Sequence, residues 1–276
     1  TSASVIYEHL LGVASTDKKY ANIAAYAYLS LGDVFSRQAR WRMSISYILK
    51  AKRLFSRQQD QRGLAKCENL LGTIYGDKGN LTKARAHFEK SISLLNPKND
   101  IGLISMLEMN IGIINNMQGR WDEALSYYQR ALVKFEKQLD NKRIAEIKHN
   151  IGMLYSEKGE FNPALKEFDS SISYAVKSGN LSSISISYLS KAYIYSKLND
   201  LPLANAFADK AMDISYRIND RLSIADVYKI KGIIERSLSN YELAENFLLT
   251  SLRINKELEN ILNQAESSYE LGILYL

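Results

Sequence analysis

The chain has three histidines, His9, His87 and His149, and they stand far apart. A metal centre needs histidines, cysteines or carboxylates at short helical spacing, such as His-x-x-x-His, and no such set occurs. There is no cysteine pair and no glycine-rich phosphate loop. Cys67 has no histidine at helical spacing to take its proton, so it reads as a small packed side chain rather than a nucleophile. Carboxylates are plentiful, but on a helical surface a pair of them is usually a solvated face. No catalytic residue, metal ligand or cofactor is therefore assigned.

Side chains suited to binding are easier to find. Asn110 and Asn150 stand 40 residues apart, and each amide offers donors and an acceptor to an extended peptide backbone. Met106, Met109, Ile113 and Met117 fall at i, i+3, i+7 and i+11, one stripe along a helix. Such a stripe is either helix-packing core or an adaptable apolar surface, and the spacing alone leaves both readings open. Arg42, Lys50, Arg53 and Arg57 share one helix face within a strongly basic stretch. That face is either a solvated helix back or a dock for an acidic protein or polyanion.

Composition narrows the class of molecule. Of 276 residues, 46% are hydrophobic and 24% charged, which excludes a disordered chain. Only 3 prolines leave long stretches free to be helical. A single cysteine forbids an internal disulfide, which suits a reducing compartment such as the cytoplasm and leaves the bacterial periplasm open. No apolar run approaches the roughly 18 residues of a membrane span. The net charge of +6 is modest, so the basic stripe is the sole support for a nucleic-acid-binding array.

The elements that must position these side chains are set by a repeat. Gly32, Gly72, Gly112, Gly152, Gly232 and Gly272 recur on a 40-residue step, with Ala192 filling the one gap. Twelve residues beyond stand Ser44, Ala84, Ala124, Ala164, Ala204 and Ala244. Sixteen beyond stand Ile48, Phe88, Tyr128, Phe168, Ala208 and Leu248, and nineteen beyond stand Ala51, Ser91, Ala131, Ser171, Ala211 and Ser251. Small, large, small at offsets of four and three marks one helix face on which another helix closes. Asp60, Asp100, Asp140, Asn180, Asp220 and Asn260 are N-cap residues on the same period. Gly79, Gly119, Gly159, Asn199 and Ser239 recur where the first helix must turn. Each unit is thus predicted to be two helices of about four to five turns joined by short turns.

These residues resemble the tetratricopeptide repeat. Leu71, Gly72 and Tyr75 followed by Ala84, Phe88 and Ser91 match its pattern, as do Ile151, Gly152 and Tyr155 followed by Ala164, Phe168 and Ser171. The 40-residue period is similar to the long-repeat branch of spindle-orientation adaptors, kinesin light chains and bacterial peptide-receptor regulators. Lys191 and Lys231 depart from the pattern where a large apolar residue belongs, and Asn115 and Glu235 where an aromatic belongs.

The resemblance implies an all-α, right-handed superhelical solenoid of antiparallel helix pairs, expected here as a single array. Residues 1–18 would be the second helix of a preceding repeat, residues 20–259 six full repeats, and residues 260–276 the first helix of a truncated seventh. In this family the first helices line a concave groove. Its ligand positions lie six, three and two residues before the glycine column, and one, four and five after it. Those columns hold Asn69, Asn110, Asn116 and Asn150, together with Lys66, Met106, Met109, Ile113, Met117, His149 and Met153. The arginines that the family's chaperone-tail receptors use are missing, which argues against that ligand.

The expected function is a protein-interaction scaffold that takes a peptide or partner helix in its groove. The alternatives are the ligand-sensing domain of a larger signalling or transcription-regulatory protein, and the nucleic-acid-binding array. The last helix carries Leu271, Ile273, Leu274, Tyr275 and Leu276, which suggests self-association there or continuation of the array.

Overall fold

The computed structural model describes residues 20–38 and 40–276. Among the described residues every regular element is helical apart from short turns, with no strand. The helices are α1 (Ala21–Arg37), α2 (Trp41–Arg57), α3 (Gln61–Asp77), α4 (Leu81–Ser93), α5 (Ile101–Met117), α6 (Trp121–Lys137) and α7 (Asn141–Glu157). They continue as α8 (Phe161–Ser178), α9 (Leu181–Lys197), α10 (Leu201–Arg217), α11 (Arg221–Ser237), α12 (Tyr241–Glu257) and α13 (Ile261–Tyr275). This is the expected alternation on the 40-residue step. The helix expected over residues 1–18 lies outside the described residues.

The glycine column explains how a repeat closes. A Cβ on Gly72 would lie 2.5 Å from the ring of Phe88, and one on Gly112 or Gly152 would lie 2.6 Å from Tyr128 or Phe168. The first helix therefore needs a bare backbone where the large residue of the second helix lands. The gap in the column obeys the same steric rule. Where glycine becomes Ala192, the facing position shrinks to Ala208, and both are fully buried in one core cluster. Serines in the small column add a hydrogen bond to this close approach. Ser91 Oγ donates to the Ala65 carbonyl at 2.7 Å, and Ser171 Oγ to that of Ala145 at 2.8 Å.

The helix ends follow from side chains that satisfy orphan amides. Asp60, Asp140, Asn180, Asp220 and Asn260 each accept a hydrogen bond from the amide three residues on. Asp100 does not. Its carboxylate accepts instead from the Asn96 amide at 3.0 Å and pairs with Arg62 at 3.1 Å. Between paired helices the chain turns through left-handed residues, with φ of 74°, 70° and 77° at Gly79, Gly119 and Gly159. Asn199 and Ser239 adopt the same conformation at 59° and 64°. Helix α4 stops early, at Ser93, because Pro97 falls where its last turn would run.

The chain forms two compact units, Thr1–Lys134 and Phe135–Leu276. In the first, one core gathers Ile48, Phe55, Leu71 and Ile74, and another Phe88, Leu107, Ile111 and Ile114. A charge cluster around one buried carboxylate joins α2, α3 and α4. Glu68 is fully buried, with Lys52 at 2.7 Å, His87 Nδ1 at 2.7 Å and Lys90 at 3.2 Å. Burial pushes its carboxyl up, but the bonds from Lys52, His87 and Lys90 outweigh this and hold it below the usual carboxylate range. In the second unit, α7, α9, α11 and α13 pack in succession, each also against its own second helix where one follows.

The departures from the repeat pattern have physical explanations here. Lys191, buried where an apolar residue belongs, lies 4.4 Å from the Phe207 ring and reaches Asp169 with its ammonium. Lys231 pairs with Asp209 at 2.5 Å. Asn115 accepts a hydrogen bond from Arg85 at 3.0 Å. A long stem fills the apolar space while its charge finds a carboxylate, so the packing survives the substitution.

Candidate functional site

In the second unit the first helices α7, α9, α11 and α13 present a cavity of about 780 Å³. Its apolar wall is formed by Met153, Leu189, Tyr193, Ile230, Ile233 and Tyr269. Tyr193 and Tyr269 are 39% and 68% exposed, so their rings are open to a ligand in the recess. Its polar lining includes Glu157, Ser190, Asp226, Lys229, Glu266 and Glu270. Thirteen of the fifteen lining residues occupy the ligand columns that the sequence resemblance implies, Asn263 and Ala265 being the exceptions.

Side chains of α11 and α13 are tied to one another beside the cavity. Lys229 lies 3.4 Å from Asp226 and 2.5 Å from Glu266. Arg236 pairs with Glu270 at 2.8 Å, and the Asn263 amide donates to Asp226 at 3.2 Å. Burial lifts the Asp226 carboxyl above the usual range, with the Lys229 ammonium opposing it. Burial would lower Lys229, but Asp226 and Glu266 more than reverse that and hold its ammonium above the ordinary value. The site can thus bind through apolar contact, aromatic faces and fixed charge.

The eleven groove residues expected from the sequence are distributed differently. Met153 alone lines this cavity. In the first unit, Asn110 Nδ2 donates to Asn69 Oδ1 at 3.2 Å, so two of the expected amides do meet. Asn150 is half-buried on α7 in the second unit. Asn116 is 9% exposed, and its Oδ1 is buried without a hydrogen-bond partner. The methionine stripe is split, with Met109 buried at 7%, Met117 exposed at 57%, and Met106 and Ile113 half-buried. The reason is that α5 is apolar on nearly all sides, so no stripe on it marks a single face.

Two expected ligand groups are engaged elsewhere. His149 stacks obliquely on Phe168 at 5.3 Å, with Nδ1 3.2 Å from Ser187 Oγ. Burial pushes its pKa down to about 4, so the ring is a neutral packing element between α7 and α9. Lys66 Nζ sits 4.9 Å over the Tyr26 ring. On α2, Arg42, Lys50, Arg53 and Arg57 are all exposed, and Lys50 lies 5.1 Å from the Tyr47 ring. Cys67 is fully buried, and desolvation lifts its thiol to about 12, which removes it as a nucleophile.

The lining residues that sequence reasoning missed, Tyr193, Asp226, Lys229, Glu266 and Tyr269, stand in the same columns as those it chose. No single residue type fills these columns, which mix apolar, aromatic and charged side chains, so type alone does not mark them.

Helix pairs on a 40-residue step, closed by a bare position facing a large one, define a helical-repeat protein. The tetratricopeptide repeat model matches residues 23–96 and 103–175, more than half of the chain, and the protein belongs to that family. No curated protein matches its sequence significantly. Several solved structures share the fold. The Rap conjugation gene regulator of plasmid pLS20, in complex with the Phr* peptide, superposes with a TM-score of 0.68 at 18% identity, over 92% of this chain and 75% of that one. The apo quorum sensor NprR from B. thuringiensis gives 0.65 at 15% identity, over 98% and 75%. BtubC from P. vanneervenii gives 0.61 at 21% identity, over 79% and 90%. Among the described residues no helix is long and apolar enough to cross a membrane.

Proposed function

We propose that this protein is a peptide-binding scaffold, and that the cavity on α7, α9, α11 and α13 is where a peptide or partner helix is held. The observation that carries this is the coincidence of cavity and columns. A 780 Å³ recess with two exposed tyrosines lies on the positions that the family turns toward its ligands. The likeness to a regulator complexed with a peptide and to a quorum sensor supports a regulatory setting, in which the scaffold is the sensing part of a larger protein. The buried thiol and the packed histidine fit a binding module rather than an enzyme.

The test is selection of a displayed random peptide library on the immobilised protein, followed by affinity measurement with Tyr193→Ala and Ile233→Ala. Each truncated anchor is expected to weaken a groove-bound peptide about tenfold, roughly 1.4 kcal/mol. Peptides that bind both variants as well as the parent would refute the site. The amide pair Asn69–Asn110 in the first unit is a second polar contact surface on this reading, to be tested by the double alanine change.

Two surfaces lie outside the cavity. The arginines of α2 form a cationic strip for an acidic protein; steep loss of binding with salt to a nucleic-acid probe would favour a polyanion instead. On α13, Leu271 is buried, while Ile273 and Leu276 are exposed and Tyr275 hydrogen-bonds Glu245. Self-association through these side chains predicts a dimer in sedimentation that Leu274→Glu with Leu276→Glu abolishes. A monomer at high concentration refutes it.

A further inference from the structure

The charge of the cavity runs against the charge of the chain. The protein as a whole is +6, yet the lining sets four carboxylates, Glu157, Asp226, Glu266 and Glu270, against one ammonium, Lys229. That ammonium is already divided between Asp226 and Glu266. Arg236 compensates Glu270 from outside the lining. Long-range attraction would bring anions to such a protein, but within a Debye length the recess would repel them.

The aromatic groups point the same way. Tyr269 exposes its ring to the recess beside these carboxylates, and the Tyr193 ring already holds a cation, Lys197 Nζ, 5.2 Å from its centroid. An aromatic face carries negative potential and attracts cations, so rings and carboxylates select the same sign of ligand charge. The apolar lining residues Leu189, Ile230 and Ile233 add a place for an uncharged side chain next to the cationic one.

Resting on the peptide-binding reading above, we infer that the occupant is a cationic amphipathic peptide. Its lysine or arginine side chains lie along Glu266 and Asp226 against Tyr269, and its apolar side chains lie on Ile230 and Ile233. An acidic peptide would meet the excess of carboxylates over cations in the lining, and that repulsion costs affinity. An arginine would compete with Lys229 for Glu266, the more exposed of its two partners. The ligand in turn would loosen one of the ties between α11 and α13.

The experiment uses the same displayed library, with recovered peptides sorted by net charge and by dependence on Tyr193 and Ile233. Groove-dependent peptides are expected to be rich in lysine and arginine. Their affinity should fall about three- to tenfold in Glu266→Gln, fall further when Glu157→Gln is added, and weaken as ionic strength rises. Both substituted carboxylates are exposed, and melting of each variant beside the parent separates loss of the Glu266–Lys229 tie from loss of peptide binding. Groove-dependent peptides that are neutral or acidic, or indifferent to Glu266→Gln, would overturn the charge inference and leave peptide binding intact. Failure to recover any groove-dependent peptide would overturn both.

Discussion

Gly152 and Phe168 show how one missing methyl group sets a helix crossing. Alanine at Gly152 would favour the helix intrinsically by up to about 1 kcal/mol. Its Cβ would, however, lie 2.6 Å from a ring that has no room to retreat, Phe168 being fully buried. Gly152→Ala is therefore expected to cost a net 1–3 kcal/mol, roughly, in urea unfolding. Phe168→Ala alone should cost about 3–5 kcal/mol through the cavity it leaves. Together they should cost less than the sum by about 1 kcal/mol or more, because Ala192 and Ala208 already form such a pair in this chain. Additive effects would show that the two positions do not compete for one space. His149 makes a second residue-scale case. Its folded value of about 4 lies below the ordinary 6.5, so between these the unfolded chain binds a proton that the folded chain refuses. Stability then rises with pH across that window. The contribution is complete above pH 6.5 and is lost as pH falls toward 4, amounting to about 3 kcal/mol at most. His149→Gln should flatten the acid dependence of the unfolding midpoint there, and an unchanged slope would refute the assignment.

At the scale of helices, the caps make the sharpest forecast. Asp220 accepts from the Ser223 amide at 3.2 Å and from the Ser223 hydroxyl at 2.8 Å, so Asp220→Ala should cost about 1 kcal/mol in thermal or urea unfolding. Asn240 caps no amide and bonds Glu235 instead, so Asn240→Ala should cost a few tenths at most. Equal losses would mean that the cap bond contributes nothing. The caps of the first helices were legible because one column holds Asp or Asn from Asp60 to Asn260, although Asp100 makes no cap bond and Tyr20 stands in that column before α1. Those of α4 and α10, Asn80 and Asp200, were not, since their column also contains Arg120 and Glu160. The early end of α4 was written in Pro97, a single residue that a search for periodic signals ignores. The columns of the groove were legible through the family pattern, whereas the repeats that form the cavity were not. Which columns open into a recess depends on side chains from four helices at once, and on α5 apolar residues lie on nearly every side.

At the scale of each unit, contacts run between consecutive helices and between the first helices of successive repeats. Packing of this sort makes stability a sum of local terms and neighbour interfaces. A change such as Gly152→Ala should then raise amide exchange in α7 and α8 well before α12. Uniform acceleration across the second unit would indicate a single cooperative block instead.

The pairing of a bare backbone position with the large residue sixteen further on has a genealogical consequence. Because both partners lie inside one 40-residue unit, a copying error of that length leaves no ring without its notch and no notch without its ring. Duplication and excision of whole units are thus the edits that this gene tolerates, while an insertion of half a unit would set glycine opposite glycine. Excising residues 181–220 should yield a shorter chain that still melts cooperatively with undiminished helicity per residue. Excising residues 181–200 should yield one that does not. Lineages of this protein would accordingly differ in the number of their units and keep the length of each.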